Sequence, residues 1–342
     1  MVNISIDAMG GDEGLAVTLN GAANALKIYP DIHFLLFGDQ EQIEAMLKNL
    51  PELSTKSSIH HCSVSISMTE KPSTALRKGR KTSSMWCAID AVKQGDADVA
   101  ISAGNTGALM AMATFCLRTI EGIGRPAIAA LWPSLRSEAI VLDVGATIGA
   151  EKQQLIDNAF MGQAMARVLF DLPRPKVGLL NIGVEEVKGL DEIKEAASYM
   201  HDHDLPFDYV GFIEGSDIGS NKVDVVVTEG FSGNIALKTA EGTAKQVSHY
   251  LKSALSRSLS GKLGYFFART AFHSLRTILN PNNMNGGVFL GLNGLVIKSH
   301  GGATAQGFTS AILLAHDMVI NQLQKRLNED LQKYRVQEKE GE

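Results

Sequence analysis

The sequence predicts an α/β protein with a mostly parallel central sheet, and three observations carry that prediction. Short β-branched runs alternate with longer stretches of helical periodicity, the pattern of βα units. Several short runs are apolar at consecutive positions, as strands covered by helices on both faces must be. Three runs lead through a loop of Gly, Asn, Ser and Thr directly into a helix.

In chain order, the Ile-rich Val2–Asp7 predicts the first strand and the Ala-rich Ala16–Tyr29 the first helix. His33–Gly38 and Ile59–Cys62 are apolar strand runs around a helical Gln40–Asn49. Helices Ser84–Gln94 and Gly107–Thr119 flank the strand Val99–Ser102. Ala127–Trp132 and Ala139–Asp143 follow as strands, then the long helix Ala150–Phe170. Lys176–Asn181, Tyr209–Ile213 and Val223–Thr228 are strands, with Asp191–His201 helical between the first two. Ile235–Ser256 is helical, Leu295–Lys298 is the last strand, and a helix opens at about Ala305. The charged end, 329–342, is expected to fray.

Composition removes several classes. Apolar residues at 45 %, charged residues at 20 %, and 33 Gly against 9 Pro describe an ordinary globular chain, not a disordered, collagen-like or coiled-coil one. No apolar run approaches the roughly 18–20 residues of a membrane-spanning helix. The N-terminus carries Asp7 and no basic region, unlike a signal peptide. Cys62, Cys87 and Cys116 have neither metal-site nor redox-motif spacing, so reduced thiols and a cytoplasmic location are expected.

The net charge of −5 is unevenly spread. Between Gly242 and His316 there is no acid, yet there are Lys245, Lys252, Arg257, Lys262, Arg269, Arg276 and Lys298. That stretch is +7 and the remainder −12, which points to an anionic partner met at one place and argues against nucleic acid. Within Leu251–Leu279, apolar residues including Phe266 and Phe267 recur at three- and four-residue steps between the basic ones. Such a stretch suits an anionic membrane, a partner, or a core-facing helix pair. The segment with Arg77, Lys78, Arg80 and Lys81 reads as a solvated loop or as an electropositive rim for an acidic partner.

The chemistry concentrates in the three glycine loops. Asp98–Leu109 carries Ser102, Gly104, Asn105 and Thr106; Asp224–Ile235 carries Ser232, Gly233 and Asn234; the third runs from Lys298 through His300 to Thr304. Glycine lets the backbone approach a ligand, and strand-end amides beside a helix N-terminus favour an anion. Lys238 lies one turn beyond Asn234 and can reach back to such an anion. Asp7, Gly10, Gly11, Asp12 and Asp143 end strands or open loops, which fits either a site or turn formation. Lys188, beyond Asn181-Ile182-Gly183 and before Gly189, is either a solvated lysine or a site residue. There is no P-loop, no dinucleotide fingerprint, no nucleophile elbow and no clustered metal ligands, so no cofactor and no metal are expected.

Ile6-Asp7-Ala8-Met9-Gly10-Gly11-Asp12, Ser102–Ala108, Leu142-Asp143-Val144-Gly145-Ala146, Glu229–Asn234 and Gly291–Gly301 together resemble the PlsX-type phosphate acyltransferases of bacterial phospholipid synthesis. The resemblance runs from residue 3 to about 325. It implies a two-lobed fold similar to the isocitrate/isopropylmalate dehydrogenases and the phosphotransacetylases, with an interlobe cleft. Residues 1–328 would be a single domain of two lobes, with 245–280 a basic amphipathic helical insertion. It implies transfer of a long-chain fatty acyl group from acyl carrier protein to inorganic phosphate, giving acyl phosphate for a membrane glycerol-3-phosphate acyltransferase. It also implies a homodimer that touches the membrane peripherally. Val184, Ser216 and Thr147 depart from the family's usual residues, so no essential role is assigned to them.

On this reading Lys188, Asn234, Lys238 and His300 are the expected catalytic residues. Asp7, Gly10, Gly11, Asp12, Ser102, Gly104, Asn105, Thr106, Asp143, Asn181, Ser232, Gly233 and Lys298 would bind phosphate or substrate. Arg77, Lys81, Lys252, Arg257, Lys262, Phe266, Phe267 and Arg269 would meet the carrier protein or the membrane. Three other readings are weighed: a phosphotransacetylase-like enzyme using acyl-CoA, a decarboxylating dehydrogenase, and a non-catalytic acyl carrier. The dehydrogenase would need a nicotinamide cofactor and a metal for which no signature exists.

Overall fold

The computed structural model describes residues 1–135, 138–278 and 285–341. The first part of the chain forms β1 (Val2–Asp7), α1 (Leu15–Leu26), β2 (Ile32–Gly38), α2 (Gln40–Leu47), α3 (Pro51–Thr55) and β3 (Ser57–His61). Then come α4 (Pro72–Gly79), α5 (Ser84–Gln94), β4 (Val99–Ser102), α6 (Thr106–Leu117), β5 (Ala127–Pro133), β6 (Glu138–Leu142) and α7 (Lys152–Phe170). The chain continues with β7 (Lys176–Leu180), α8 (Asp191–Asp202), β8 (Asp208–Ile213), β9 (Val225–Val227), α9 (Gly230–Ser256) and α10 (Leu259–Ile278). It closes with β10 (Gly287–Leu290), β11 (Leu295–Lys298), α11 (Ala305–Ile320) and α12 (Leu323–Gly341).

Local chemistry sets the helix boundaries near the site. Asp39, Ser83, Asn105 and Thr304 cap α2, α5, α6 and α11, each side chain accepting an amide N–H of the first turn. Helix α5 stops at Gly95, whose φ of +81° suits glycine in the left-handed region.

The eleven strands make one sheet in the order β3-β2-β1-β4-β11-β10-β5-β6-β9-β7-β8. Consecutive strand residues point to opposite faces. Accordingly Val99 and Ile101, Ile140 and Leu142, and Val225 and Val227 enter one hydrophobic core, while Ala100, Val141 and Val226 enter the other. This is why these runs are apolar at consecutive positions. The second core also holds Ala108, Leu109 and Met112 of α6, with Ala236 and Leu237 of α9 packed against it. Helices α6 and α9 therefore lie on the same face.

Two half-sheets are parallel within themselves, β3-β2-β1-β4-β11 and β6-β9-β7-β8, and they are joined by antiparallel pairings through β10 and β5. Three reversals turn the second half to run opposite to the first, so their carboxyl ends point in opposite directions. The register nevertheless brings two of these ends near each other. Lys298 of β11 pairs with Gly287, and the next β10 residue, Val288, pairs with Ala129, which pairs with Leu142 of β6. Lys298 and Asp143 are thus two residues apart along the strands and three strands apart across, about 7 Å by about 14 Å. On this topology the interlobe cleft expected above falls where these short strands end.

Several elements differ from expectation. Gly287–Leu290 is a strand that the sequence did not suggest. Residues 72–79 form a helix rather than a plain loop, started by Pro72, a favoured first residue, and anchored by the buried Ala75 and Gly79. The charged end expected to fray, 329–342, is helical as far as Gly341: α12 buries Leu331 and Tyr334, and Asp330 pairs with Arg167 at 2.8 Å. The last residues of the expected 245–280 insertion, 279 and 280, and the terminal Glu342 lie outside the described residues. Among the described residues no helix is long and apolar enough to cross a membrane.

Candidate active site

Three neighbouring strand ends form one wall of the cleft: Asp7 and Lys298 each register with Ser102. Asp7 is buried, and both its carboxylate oxygens accept hydroxyl groups, Oδ1 from Ser84 Oγ at 2.6 Å and Oδ2 from Ser102 Oγ at 2.7 Å. Burial raises its carboxyl above the ordinary value, against the opposing effect of those hydroxyls, the Met9 amide and Lys298. Ser102 Oγ also accepts the Gly104 amide at 3.0 Å, so the Asp7–Ser102 pair fixes the loop that follows β4. A Cβ at Gly10 would stand 2.8 Å from both Asp7 Oδ2 and Gly104 N, which leaves room only for hydrogen. Asp12 N donates to Gly301 O at 2.9 Å and ties the first loop to the third.

Asn105 is occupied structurally. Its Oδ1 accepts Ala108 N–H, and its Nδ2 donates to Met68 O and Glu70 O, clamping the chain before α4 over the loop. Thr106, the first residue of α6, is exposed beside it.

Lys298 is buried, and its Nζ donates to the carbonyls of Ala103, at 3.3 Å, and Ser299. Among the described residues it makes no ion pair with a carboxylate. Burial lowers it to about 8, with Asp12 opposing and Lys238 adding to the fall. A buried ammonium without a bonded counterion is a natural receptor for an anion.

His300 is held by its own backbone, whose N–H donates to Asn285 Oδ1 at 2.8 Å; Asn285 in turn donates to Ser299 Oγ at 2.7 Å. The His300 ring falls below its ordinary value, first through burial and then through Lys238. Its Nδ1 accepts Gly302 N–H at 3.1 Å, so the neutral ring carries its proton on Nε2 and offers it as a donor.

The opposite wall comes from the second half-sheet. Asp143 is fully buried, and its two oxygens accept the amides of Ile128, Gly145, Ala146 and Thr147 and the Thr147 hydroxyl, at 2.9–3.1 Å. Asp143, expected to bind substrate, uses its carboxylate in this structure to shape its own loop. Helix α9 begins directly against that loop. A Cβ at Gly233 would lie within bonding range of Asp143 O, 1.9 Å, and one at Gly230 would meet Thr147 O at 2.4 Å.

The α9 N-terminus is not an open anion cradle either. Glu229 caps it with a carboxylate that accepts Phe231 N at 2.8 Å, Ser232 N at 2.7 Å and Gly149 N at 3.2 Å. Burial alone would raise Glu229, but these hydrogen bonds bring it below its ordinary value. Asn234 Nδ2 donates to Val144 O at 3.0 Å, and Lys238, one turn on, pairs with Glu241 at 2.9 Å. The charge of Lys238 acts on both Lys298 and His300, lowering each.

Lys188 lies beyond β7, which runs parallel to β9. Its ammonium pairs with Glu185 at 2.8 Å in an exposed loop after β7, and its carbonyl accepts Asn181 Nδ2 at 3.0 Å. Asn181 also crowds Gly189, where a Cβ would stand 2.1 Å from its Oδ1. The structure thus joins Lys188 and Asn181 to each other. Arg77 and Lys81 are exposed on and just after α4. Lys252, Arg257, Lys262, Phe266, Phe267 and Arg269 are exposed along the α9–α10 hairpin, where Arg269 lies over the Phe266 ring at 5.8 Å.

Sequence reasoning missed Ser84, Asn285 and Glu229. Ser84 and Asn285 act through contacts 77 and 15 residues away along the chain, which no local motif announces. Glu229 could have been found, since an acid immediately before a helix is a capping signal. Among the described residues no group of three or more His, Cys, Asp or Glu is placed to hold a metal ion.

A family model described as "Fatty acid synthesis protein" matches residues 2–326. A protein of Rhizobium etli named "Phosphate acyltransferase" is 59 % identical over 335 residues, 98 % of this chain and 96 % of its own. Among solved structures, a phosphotransacetylase from Streptococcus pyogenes superposes with a TM-score of 0.60 at 16 % identity, covering 93 % of this chain and 94 % of that one. A branched-chain phosphotransacylase from Enterococcus faecalis gives 0.58 at 14 % identity, with 93 % and 99 % covered. These two likenesses show the fold, an α/β architecture with a mostly parallel central sheet like that of the phosphotransacetylases, as the family resemblance implied.

Proposed function

The chain belongs to the fatty acid synthesis protein family and is an enzyme, a phosphate acyltransferase; from that premise we propose that it moves a long-chain fatty acyl group from acyl carrier protein to inorganic phosphate. The product is acyl phosphate, handed to a membrane glycerol-3-phosphate acyltransferase. One observation carries the reading: the buried Lys298 ammonium, bonded only to carbonyls, at the meeting of the glycine loops.

Phosphate binds against Lys298, the His300 Nε2–H, Thr106 and the unpaired first-turn amides of α6, with Lys238 adding charge from the far wall. The Asp7–Ser102–Gly104 chain and Gly10, Gly11 and Asp12 hold these donors in place. Phosphate is already an anionic nucleophile at neutral pH. A leaving thiol of pKa about 8.5 needs little protonation, so no covalent enzyme intermediate is required. A phosphate oxygen attacks the thioester carbon, the carbonyl oxygen becomes an oxyanion, and its collapse expels the thiolate. Positioning supplies about 7–11 kcal/mol, and each oxyanion donor about 2.7–4 kcal/mol. Asn234 and Lys238 face the oxyanion, and Lys188 serves the more distant part of the donor.

We assign the exposed basic ridge of Arg77, Lys78, Arg80 and Lys81 to the acidic carrier protein. The α9–α10 hairpin suits an anionic membrane, with Lys252, Arg257, Lys262 and Arg269 beside Leu263, Phe266 and Phe267, which are 59 %, 59 % and 76 % exposed. A homodimer and a peripheral, cytoplasmic location complete the reading.

The test is incubation of palmitoyl carrier protein with the enzyme, with and without phosphate, in parallel with palmitoyl-CoA. The reading expects a hydroxylamine-sensitive product that needs phosphate and forms faster from the carrier protein. Equal or better use of the CoA donor would overturn the carrier-protein assignment, and a phosphate-independent product would overturn the reaction.

A further inference from the structure

Away from the cleft, a cavity of about 580 Å³ opens between α5 and strands β2 and β3. Its wall includes His33, Leu35, Phe37, His60, Asp90 and Cys87, and Phe37 stacks on His60 with ring centroids 4.7 Å apart. Cys87 is half-buried and lines this cavity; Cys62, just beyond the end of β3, is buried behind it in a small core shared with Leu35, Phe37, Ala88 and Ala91. Cys87 packs against that core, its thiol donates to Lys81 O at 4.0 Å, and the two thiols act on each other's titration. Residues 62 and 87 thus place a reachable sulfur against a sheltered one, with no disulfide between them.

We propose that Cys87 and Cys62 form an oxidisable dithiol, a modification site at which Cys87 is attacked through the cavity by a small peroxide and Cys62 resolves the product. In the first step the Cys87 sulfur attacks the peroxide O–O bond; a S–O bond forms, the O–O bond breaks, and the alcohol or water leaves with one proton. In the second, the Cys62 sulfur attacks the resulting sulfenic acid; the S–S bond forms and hydroxide leaves as water with the Cys62 proton. Two thiols are oxidised by one peroxide, and a dithiol reductant reverses the change.

Electrostatics supports this division of labour. The neighbouring thiols shift each other in opposite directions, lowering Cys87 and raising Cys62, which favours thiolate on the cavity side. The third thiol is held apart: Cys116 is buried and donates to Asp90 Oδ1 at 3.4 Å, and burial followed by that contact pushes it up to about 12. The dithiol also adjoins the catalytic wall. Cys87 N–H donates to Ser83 O at 2.9 Å in the helical turn that carries Ser84, the hydroxyl partner of Asp7.

Full-length protein treated with hydrogen peroxide, then alkylated under denaturing conditions and mapped by mass spectrometry, tests the proposal. The expected result is a fall from three free thiols to one, with a single peptide pair joined through residues 62 and 87 and restored by dithiothreitol. Cys62→Ser should stop at a Cys87 sulfenic acid that dimedone traps. A link through Cys116, or three thiols intact where free cysteine is fully oxidised, would overturn it, and this wild-type readout stands even if a variant fails to fold.

Discussion

Ser84 Oγ donates to Asp7 Oδ1 across 2.6 Å, so a hydroxyl from helix α5 holds the buried acid that ends β1. With Ser102 on the other oxygen, the acid is braced from two directions and in turn braces the loop of Gly104. Removing Ser84 leaves a buried carboxylate oxygen short of a donor, a cost of about 1–3 kcal/mol. Ser84→Ala should therefore lower the urea midpoint with an unchanged m-value. An unaltered midpoint would show that water replaces the hydroxyl.

Lys298 gives a pH signature. Its folded value of about 8 lies below the unfolded lysine value of about 10.4. Between these the unfolded chain binds more protons, so this group's share of stability improves as pH rises. Anion binding goes the other way, because the ammonium is lost through the same window. The phosphate KM of the wild type should climb above pH 8, whereas Lys298→Gln should start with a raised KM and stay flat. Parallel profiles would remove Lys298 from phosphate binding.

Lys238 can be tested without turnover. Its charge opposes protonation of His300, so Lys238→Ala should let the His300 value rise, as read by NMR titration of the ring. Acyl-phosphate formation by the same variant should fall at least tenfold. An unchanged His300 titration would mean that the two walls stand too far apart to share a ligand.

Gly233 tests the fit between α9 and the Asp143 loop. A methyl at 233 would overlap Asp143 O, so Gly233→Ala must push the helix outward. A displacement near 1 Å can cost about a hundredfold in rate. The variant should lose that much activity, while Gly242→Ala, where a Cβ meets nothing within 4 Å, should retain wild-type rates.

The hairpin is testable by flotation with vesicles of anionic phospholipid. Phe266→Asp with Phe267→Asp should abolish retention, and wild-type retention should weaken as salt rises. Because both side chains are exposed, thermal stability should change little. Salt-independent retention would rule out the electrostatic part.

Much of the architecture was legible because burial on both faces leaves a direct trace. Val99-Ala100-Ile101 and Val225-Val226-Val227 are apolar without interruption since each alternate residue serves a different core. The brief Gly287–Leu290 strand was not legible, being only four residues between two glycine-rich stretches. Nor was the reversal of the second half-sheet, which depends on antiparallel pairing through that strand. At the candidate site, the residue types of the three loops were legible, and the sheet sets Lys298 beside Ser102. The commitments of Asp143 and Glu229 were hidden because a carboxylate in a loop looks the same whether it faces a ligand or its own backbone amides.

Helix α9 is continuous from Gly230 to Ser256, about 40 Å of unbroken rod. Asn234 and Lys238 are set near its inner end, and the greasy, cationic tip lies at its outer one. With no joint between, a tilt imposed at the tip is delivered whole to those two side chains. Wherever the tip comes to rest, the cleft can register it mechanically, as a crank registers its handle.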